Sequence, residues 1–354
     1  MNLRLVERLV NAVLYEGYIL YPYRPSAVKN QRRFNFGALC PESYSEAQRG
    51  TEAWSMQTEC LVTGGPRTAI DVKARFLHLL AREVGVLPAP LDELGEGVRP
   101  DYRPVESLEV GGRLFQTWQE AGERDVSAAS LNLNNLVGGA RRLTFAFPPS
   151  CEVEPLRDEG GKIVGVIARK QESVEGTLEV AARHAGDNLF KVTARILNRT
   201  GLENATSKSR DEALMQSLVS THTILSVRDG EFVSLLDPPE GLRERAADCQ
   251  NVGTWPVLVG EAGERDCMLS SPIILYDYPE IAPESPGDLF DGTEIDEILT
   301  LRIMTLTEEE KRAMRGVDEH ARRILERTER LAAEQMMKMH GAMRGLRSVE
   351  EDER

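Results

Sequence analysis

The stretch His184-Ala-Gly-Asp-Asn-Leu-Phe-Lys-Val-Thr-Ala-Arg-Ile196 decides the fold class. Phe190, Val192, Ala194 and Ile196 alternate with Lys191, Thr193 and Arg195, the period of two of a half-buried strand. His184 to Asn188 supplies the turn that joins this strand to an earlier one over 176–182, and 162–169 reads as a third. Downstream, Ser209-x-x-Glu212 is a capping box that opens a short helix over 210–219. The runs 223–227 and 232–236 flank Asp229-Gly230, a strong hairpin signal. Further strands are expected at 256–259, 272–276 and 298–305.

Upstream, 56–62 reads as a strand ending at Gly64-Gly65-Pro66, while the apolar residues of 68–80 fit both the strand and the helix period. The proline- and glycine-rich segment 84–105 reads as a surface connection, followed by short apolar runs at 107–118 and 142–147. At the N-terminus, Leu3, Val6, Val10 and Val13 form a stripe, widened by Leu5, Leu9 and Leu14, that predicts an amphipathic helix stopped by Gly17. Pro22 and Pro25 bar helix from 18–36. At the other end, Thr307 and Glu310 form a second capping box. Met314, Val317, Ala321, Ile324 and Leu331 then recur at steps of three and four, broken by Thr328. This predicts a long amphipathic helix over about 308–343, ending in Met336, Met337, Met339 and Met343.

The expected fold is therefore α+β: a mostly antiparallel, sandwich-like β core with an N-terminal amphipathic helix and a long C-terminal helix. The expected parts are an N-terminal α+β part (1–148), a β-rich part (149–306), the C-terminal helix (307–345) and a disordered tail (346–354).

With 354 residues, 41% hydrophobic and 28% charged, the chain can build a core without metal or disulfide staples. The net charge of −14 excludes a coat for nucleic acid. Arg4, Glu7, Arg8 and Glu16 interrupt the apolar N-terminus, so no signal peptide is expected, and no apolar run is long enough for a membrane span. Five scattered cysteines without CxxC spacing read as reduced thiols of a cytoplasmic protein, and the sequon Asn198-Arg199-Thr200 then carries no meaning.

Charge is segregated along the chain. From Gly17 to Pro41 there is no acid, and Arg24, Lys29, Arg32 and Arg33 lie among Tyr18, Tyr21, Tyr23, Phe34 and Phe36. Such a segment suits an anion or an acidic partner; its plainer reading is a solvated turn. Tyr21, Tyr23, Arg24, Lys29, Asn30 and Arg33, with Glu59 and Cys60, are the candidate partner- or anion-binding residues. From Asp266 to Leu301 there are nine acidic residues and no Lys or Arg. Asp288, Asp291, Glu294, Asp296 and Glu297 read as an acidic docking loop. They fail the EF-hand spacing, because Gly292 at position six would put Gly287 at position one. Met314, Val317, Ile324, Leu331, Met336 and Met337 are the candidate partner face of the C-terminal helix, for another chain or a second copy.

Catalytic signatures are weak. There is no GxSxG elbow, His222 is a lone strand histidine, and Glu59 would raise rather than lower the Cys60 thiol. Thr63 to Thr68 and Leu136 to Arg142 contain glycines but match no phosphate-loop motif. No catalytic residue, metal or cofactor is assigned.

The segments Glu16-Gly-Tyr-Ile-Leu-Tyr-Pro-Tyr-Arg-Pro-Ser-Ala-Val-Lys-Asn30, Arg33-Phe-Asn-Phe-Gly37, Met56-Gln-Thr-Glu-Cys-Leu-Val62 and Gly292 to Lys311 resemble a protein family encoded in actinobacterial-type NiFe hydrogenase gene clusters. That family offers no catalytic residues to carry over. The resemblance implies a cytoplasmic, non-catalytic accessory protein that assists hydrogenase assembly or maturation by binding a subunit or maturation protein. A nickel-insertion chaperone would show a His-rich tract or a CxxC set, so holding protein is expected rather than carrying metal. The alternative is an enzyme or small-molecule or anion binder with a site around Arg24, Lys29, Glu59 and Cys60.

Overall fold

The computed structural model describes residues 3–14, 37–95, 97–280 and 306–315, together with 322, 325, 326 and 328–330. One strand organises it. β1 (Ser55–Leu91) runs for 37 residues, and all its partners are antiparallel. Along one edge it pairs with β10 (Leu189–Asn198), then β5 (Trp118–Asn132), then β2 (Arg103–Val105). Along the other it pairs with β11 (Val219–Val233) and then β8 (Ile163–Gln171). The sheet grows outward from these through β9 (Val174–Gly186) to β6 (Arg141–Phe147), through β13 (Cys267–Ser271) to β12 (Trp255–Leu258), and from β8 to β7 (Ser150–Arg157). A separate hairpin joins β3 (Ser107–Val110) to β4 (Arg113–Gln116).

Burial explains why 68–80 is strand. Thr68, Ile70, Val72, Ala74 and Phe76 are buried in alternation with Ala69, Asp71, Lys73 and Arg75. The inward set packs with Val126 and Ala128 of β5, Val174, Leu178 and Val180 of β9, and Val192, Ala194 and Ile196 of β10 in one apolar interior. Phe145 and Phe147 of β6 complete it, their rings about 6 Å from that of Phe76. The outward set carries cross-strand ion pairs, including Arg75 with Glu123 and Asp125.

The helix α1 (Leu3–Leu14) is present as expected. Val6, Leu9, Val10 and Val13 pack on Val257, Val259, Cys267, Leu269 and Leu275. Short helices follow at α2 (Glu42–Ala47), α3 (Leu133–Gly138), α4 (Arg210–Leu214), α5 (Arg243–Ala247) and α6 (Glu308–Arg315). Ser209 and Glu212 form the reciprocal capping box of α4. Thr307 and Glu310 form that of α6.

Five expectations need correction. Gly64-Gly65-Pro66 does not end the strand, and Asp229-Gly230 is not a hairpin turn. Gly64 pairs with Gly230 and Ala69 with Arg228, so four residues of β1 (65–68) face one of β11 (Asp229), an excess of three. The two turn signals meet as opposed bulges in a continuous ladder. Thr68 stitches them, its Oγ1 accepting from the Gly65 N–H at 2.8 Å and donating to the Asp229 carbonyl at 2.5 Å. Asp229 has φ of +53°. The segment 84–105 is not all connection, because β1 extends to Leu91 and Arg103–Val105 forms β2. Residues 272–276 follow β13 without being strand.

The fifth correction concerns the C-terminal helix. Glu329 accepts from Arg315 at 2.9 Å and lies 3.6 Å from Lys311. Fourteen residues of straight helix span about 21 Å, farther than an Arg and a Glu side chain reach together. Arg315 and Glu329 therefore do not lie on one straight helix. The strand expected at 298–305, the helix beyond 330 and the tail lie outside the described residues.

Candidate functional site

Of the residues singled out by sequence, Glu59 and Cys60 are described in full. Tyr21, Tyr23, Arg24, Lys29, Asn30 and Arg33 lie outside the described residues. So do Asp288, Asp291, Glu294, Asp296 and Glu297, and Val317, Ile324, Leu331, Met336 and Met337. Met314 falls on α6, with its side chain outside the description.

Glu59 and Cys60 point to opposite sides of β1. Cys60 belongs to the interior and is fully buried. Burial first, then the neighbouring Cys249 and Glu59, push its thiol far above the ordinary range, so it carries no thiolate to act as nucleophile. Glu59 is tied in place. Its carboxylate forms an ion pair with Lys191. It also accepts from the Gln250 N–H at 2.8 Å and the Thr193 hydroxyl at 3.1 Å. Burial raises the Glu59 carboxyl, but these donors and the Lys191 charge outweigh it and hold it below the usual range. The Glu59 N–H donates to Asn251 at 2.8 Å, and Val252 bridges to Gln57, so this segment lies along the edge that β11 leaves free.

The surprise of the site is Lys191. Alternation places it on the polar face of β10, yet its side chain is only 5% exposed. Its ammonium donates to the Asp248 carbonyl at 2.5 Å. Beside it opens a cleft of about 180 Å³ lined by Leu61, Arg183, His184, Ala185, Lys191, Arg245 and Asp248. Arg183 and His184 come from the end of β9, His184 being the first residue of the turn that the sequence marks, and Arg245 comes from α5. The His184 ring lies 4.9 Å from that of Phe190. Among the described residues neither Arg183 nor Arg245 is in an ion pair, whereas Lys191 is neutralised by Glu59. Three cations and one carboxylate line the cleft of a chain whose net charge is −14. Nothing local in the sequence joins Arg183 to Arg245; packing of Ala246 against Leu61 and Leu189 brings them together.

His222 takes the structural role. It is fully buried, with Nδ1 2.7 Å from the Ser220 carbonyl oxygen and Nε2 3.2 Å from Ser271 Oγ. Burial, offset by the Ser220 bond and reinforced by Arg75, lowers its pKa to about 4. No opening gives a substrate a path to this Ser–His pair among the described residues. Nor do those residues contain a group of three or more His, Cys, Asp or Glu able to hold a metal ion.

A different chemistry occupies the far edge of the sheet. Trp255, Ile274 and Tyr276 are 45%, 71% and 84% exposed. Ser271 pairs opposite Trp255, and Asp277 accepts from the Leu258 N–H at 2.7 Å. The segment between, which carries Ile274 and Tyr276, therefore starts opposite Trp255 and ends beside Leu258. Single exposed apolar residues are ordinary; several at one edge, here Trp255 on β12 and Ile274 and Tyr276 on the segment after β13, suit a contact surface. Among the described residues no helix is long and apolar enough to cross a membrane.

No family model and no curated relative matches the chain.

Proposed function

We propose that this is a non-catalytic accessory protein that binds a subunit or maturation protein of a NiFe hydrogenase in the cytoplasm. The exposure of Trp255, Ile274 and Tyr276 on β12 and the segment that ends beside it supports the partner-binding part of the reading. The hydrogenase part rests on the resemblance of Glu16 to Asn30, Arg33 to Gly37, Met56 to Val62 and Gly292 to Lys311. Glu59 and Cys60 favour binding over catalysis, because one is locked in an ion pair and the other is a sealed thiol.

Burying a large apolar side chain contributes about 1.5–3 kcal/mol, so losing one at an interface weakens affinity roughly tenfold or more. Co-purification with each hydrogenase subunit and maturation protein in low salt should enrich one of them. Trp255→Asp and Tyr276→Asp should each cut that recovery about tenfold. Enrichment of no hydrogenase polypeptide sinks the reading, and recovery untouched by both substitutions removes the β12 edge as the contact.

A further inference from the structure

We propose that the cleft between the β9–β10 turn and α5 binds a phosphate-class oxyanion, either inorganic phosphate or the phosphoryl group of a small phosphomonoester. Arg183 and Arg245 arrive from separate elements, and neither has a carboxylate partner among the described residues. Two guanidinium groups held at one cleft repel each other, and a multiply charged anion between them reverses the sign of that term. Their planar forks suit oxygens of a tetrahedral anion, and His184 adds a third side chain at the same rim. Lys191, its charge offset by Glu59 and its ammonium held by the Asp248 carbonyl, lines the cleft and leaves the two arginines as its uncompensated cations among the described residues. Leu61 and Ala185 complete the lining, and Arg183 and Arg245 are exposed at its rim, open to a ligand from solvent.

Size narrows the ligand. At about 180 Å³ the cleft holds roughly six waters' worth of liquid, at ~30 Å³ each. Drug-sized ligand pockets begin at about 300 Å³. The cleft therefore fits a phosphoryl group and not the bulk of a larger ester. Gly186 belongs to the same device: a Cβ there would lie 3.2 Å from Arg245 Nη1, so the bare backbone lets the guanidinium rest against the turn.

Calorimetric titration with inorganic phosphate, glycerol 3-phosphate and acetate in low salt tests the assignment. One saturable site is expected for phosphate, at least tenfold weaker in Arg183→Gln/Arg245→Gln and changed less than about twofold in Arg141→Gln, which removes an exposed cation elsewhere. Binding of the ester as well as the free ion assigns a phosphoryl group; binding of phosphate alone assigns the free ion. If the double variant fails to fold, Arg183→Gln and Arg245→Gln alone should each weaken phosphate binding severalfold. No saturable binding of either phosphate up to about 10 mM overturns the proposal. So does equal weakening by Arg141→Gln, or acetate binding as tightly as phosphate.

Discussion

Removing the Glu59 carboxylate should destabilise the protein far more than removing the Lys191 ammonium, and removing both should restore most of the loss. Lys191 is 5% exposed and Glu59 13%. Glu59→Gln leaves the ammonium with the Asp248 carbonyl as its remaining partner. A buried charge stripped of its counter-ion costs about 3–5 kcal/mol. Lys191→Met leaves the carboxylate with the Gln250 N–H and the Thr193 hydroxyl. Two retained donors reduce the expected loss to about 1–3 kcal/mol. The double variant buries no net charge, keeps a side-chain amide for Thr193 and Gln250, and should fall within about 1–2 kcal/mol of the parent.

Urea unfolding with equal m-values gives the four stabilities, and the cycle should show a coupling of at least about 2 kcal/mol. Because the Glu59 pKa is held below its unfolded value, this contribution is intact above about pH 4.5 and is lost as pH falls through the folded pKa. A Glu59→Gln loss under about 1 kcal/mol, or strict additivity, would falsify the reading of a desolvated pair.

Three other outcomes are expected. His78 and His222 both have pKa values near 4 because burial disfavours their charge, with Arg124 and Arg75 respectively adding to it. The unfolded chain protonates near pH 6.5, so stability is full above that value and declines between about 6.5 and 4, by up to ~1.4 kcal/mol per pH unit per histidine. His78→Phe should remove one proton from that slope in urea titrations across pH, and an unchanged slope rejects the assignment. Thr68→Val removes two hydrogen bonds from a fully buried hydroxyl and should cost about 2–3 kcal/mol; a change under about 0.5 kcal/mol would mean that the bulge holds without it. Ellman's reagent at pH 8 should leave Cys60 and Cys267, the latter raised to about 12 by burial and Asp266, unmodified until the chain unfolds. Native-state labelling of Cys60 at the unfolded rate contradicts its sealing.

Local patterns were readable wherever one residue's environment is set by its near neighbours. The alternation of Phe190 to Ile196, the two capping boxes and the α1 stripe all announce their elements. Gly64-Gly65-Pro66 and Asp229-Gly230 announce irregular backbone equally well, but not whether the chain reverses there. That depends on whether a partner strand carries a matching irregularity, which is a long-range fact. Lys191 shows the same limit at the candidate site. A strand pattern assigns it to the polar face, and only the docking of Ala246 and the path of Asp248 to Val252 decide that this face is covered. The cleft's arginines were invisible for the same reason, since no spacing in the chain relates Arg183 to Arg245. The reading of 308–343 as one helix followed its apolar period faithfully. A period cannot report that Lys311 and Arg315 both meet Glu329, which one straight helix would not allow.

The length of β1 has a consequence for how the chain is made. Its edges are completed by β5 and β8, and then by β10 and β11, which end at Asn198 and Val233. On a ribosome adding ~5–20 residues per second, the gap of over a hundred residues keeps Ile70 and Val72, paired by β5 on one side, waiting for on the order of 10 s with the other side of their backbone unpaired. Nascent chains of this protein should therefore depend on chaperone cover until β11 has emerged, and strand pairing at such separations makes the final closure slow. A truncation after β9 would leave the same edges permanently open and should aggregate, whereas one made after β13 should not.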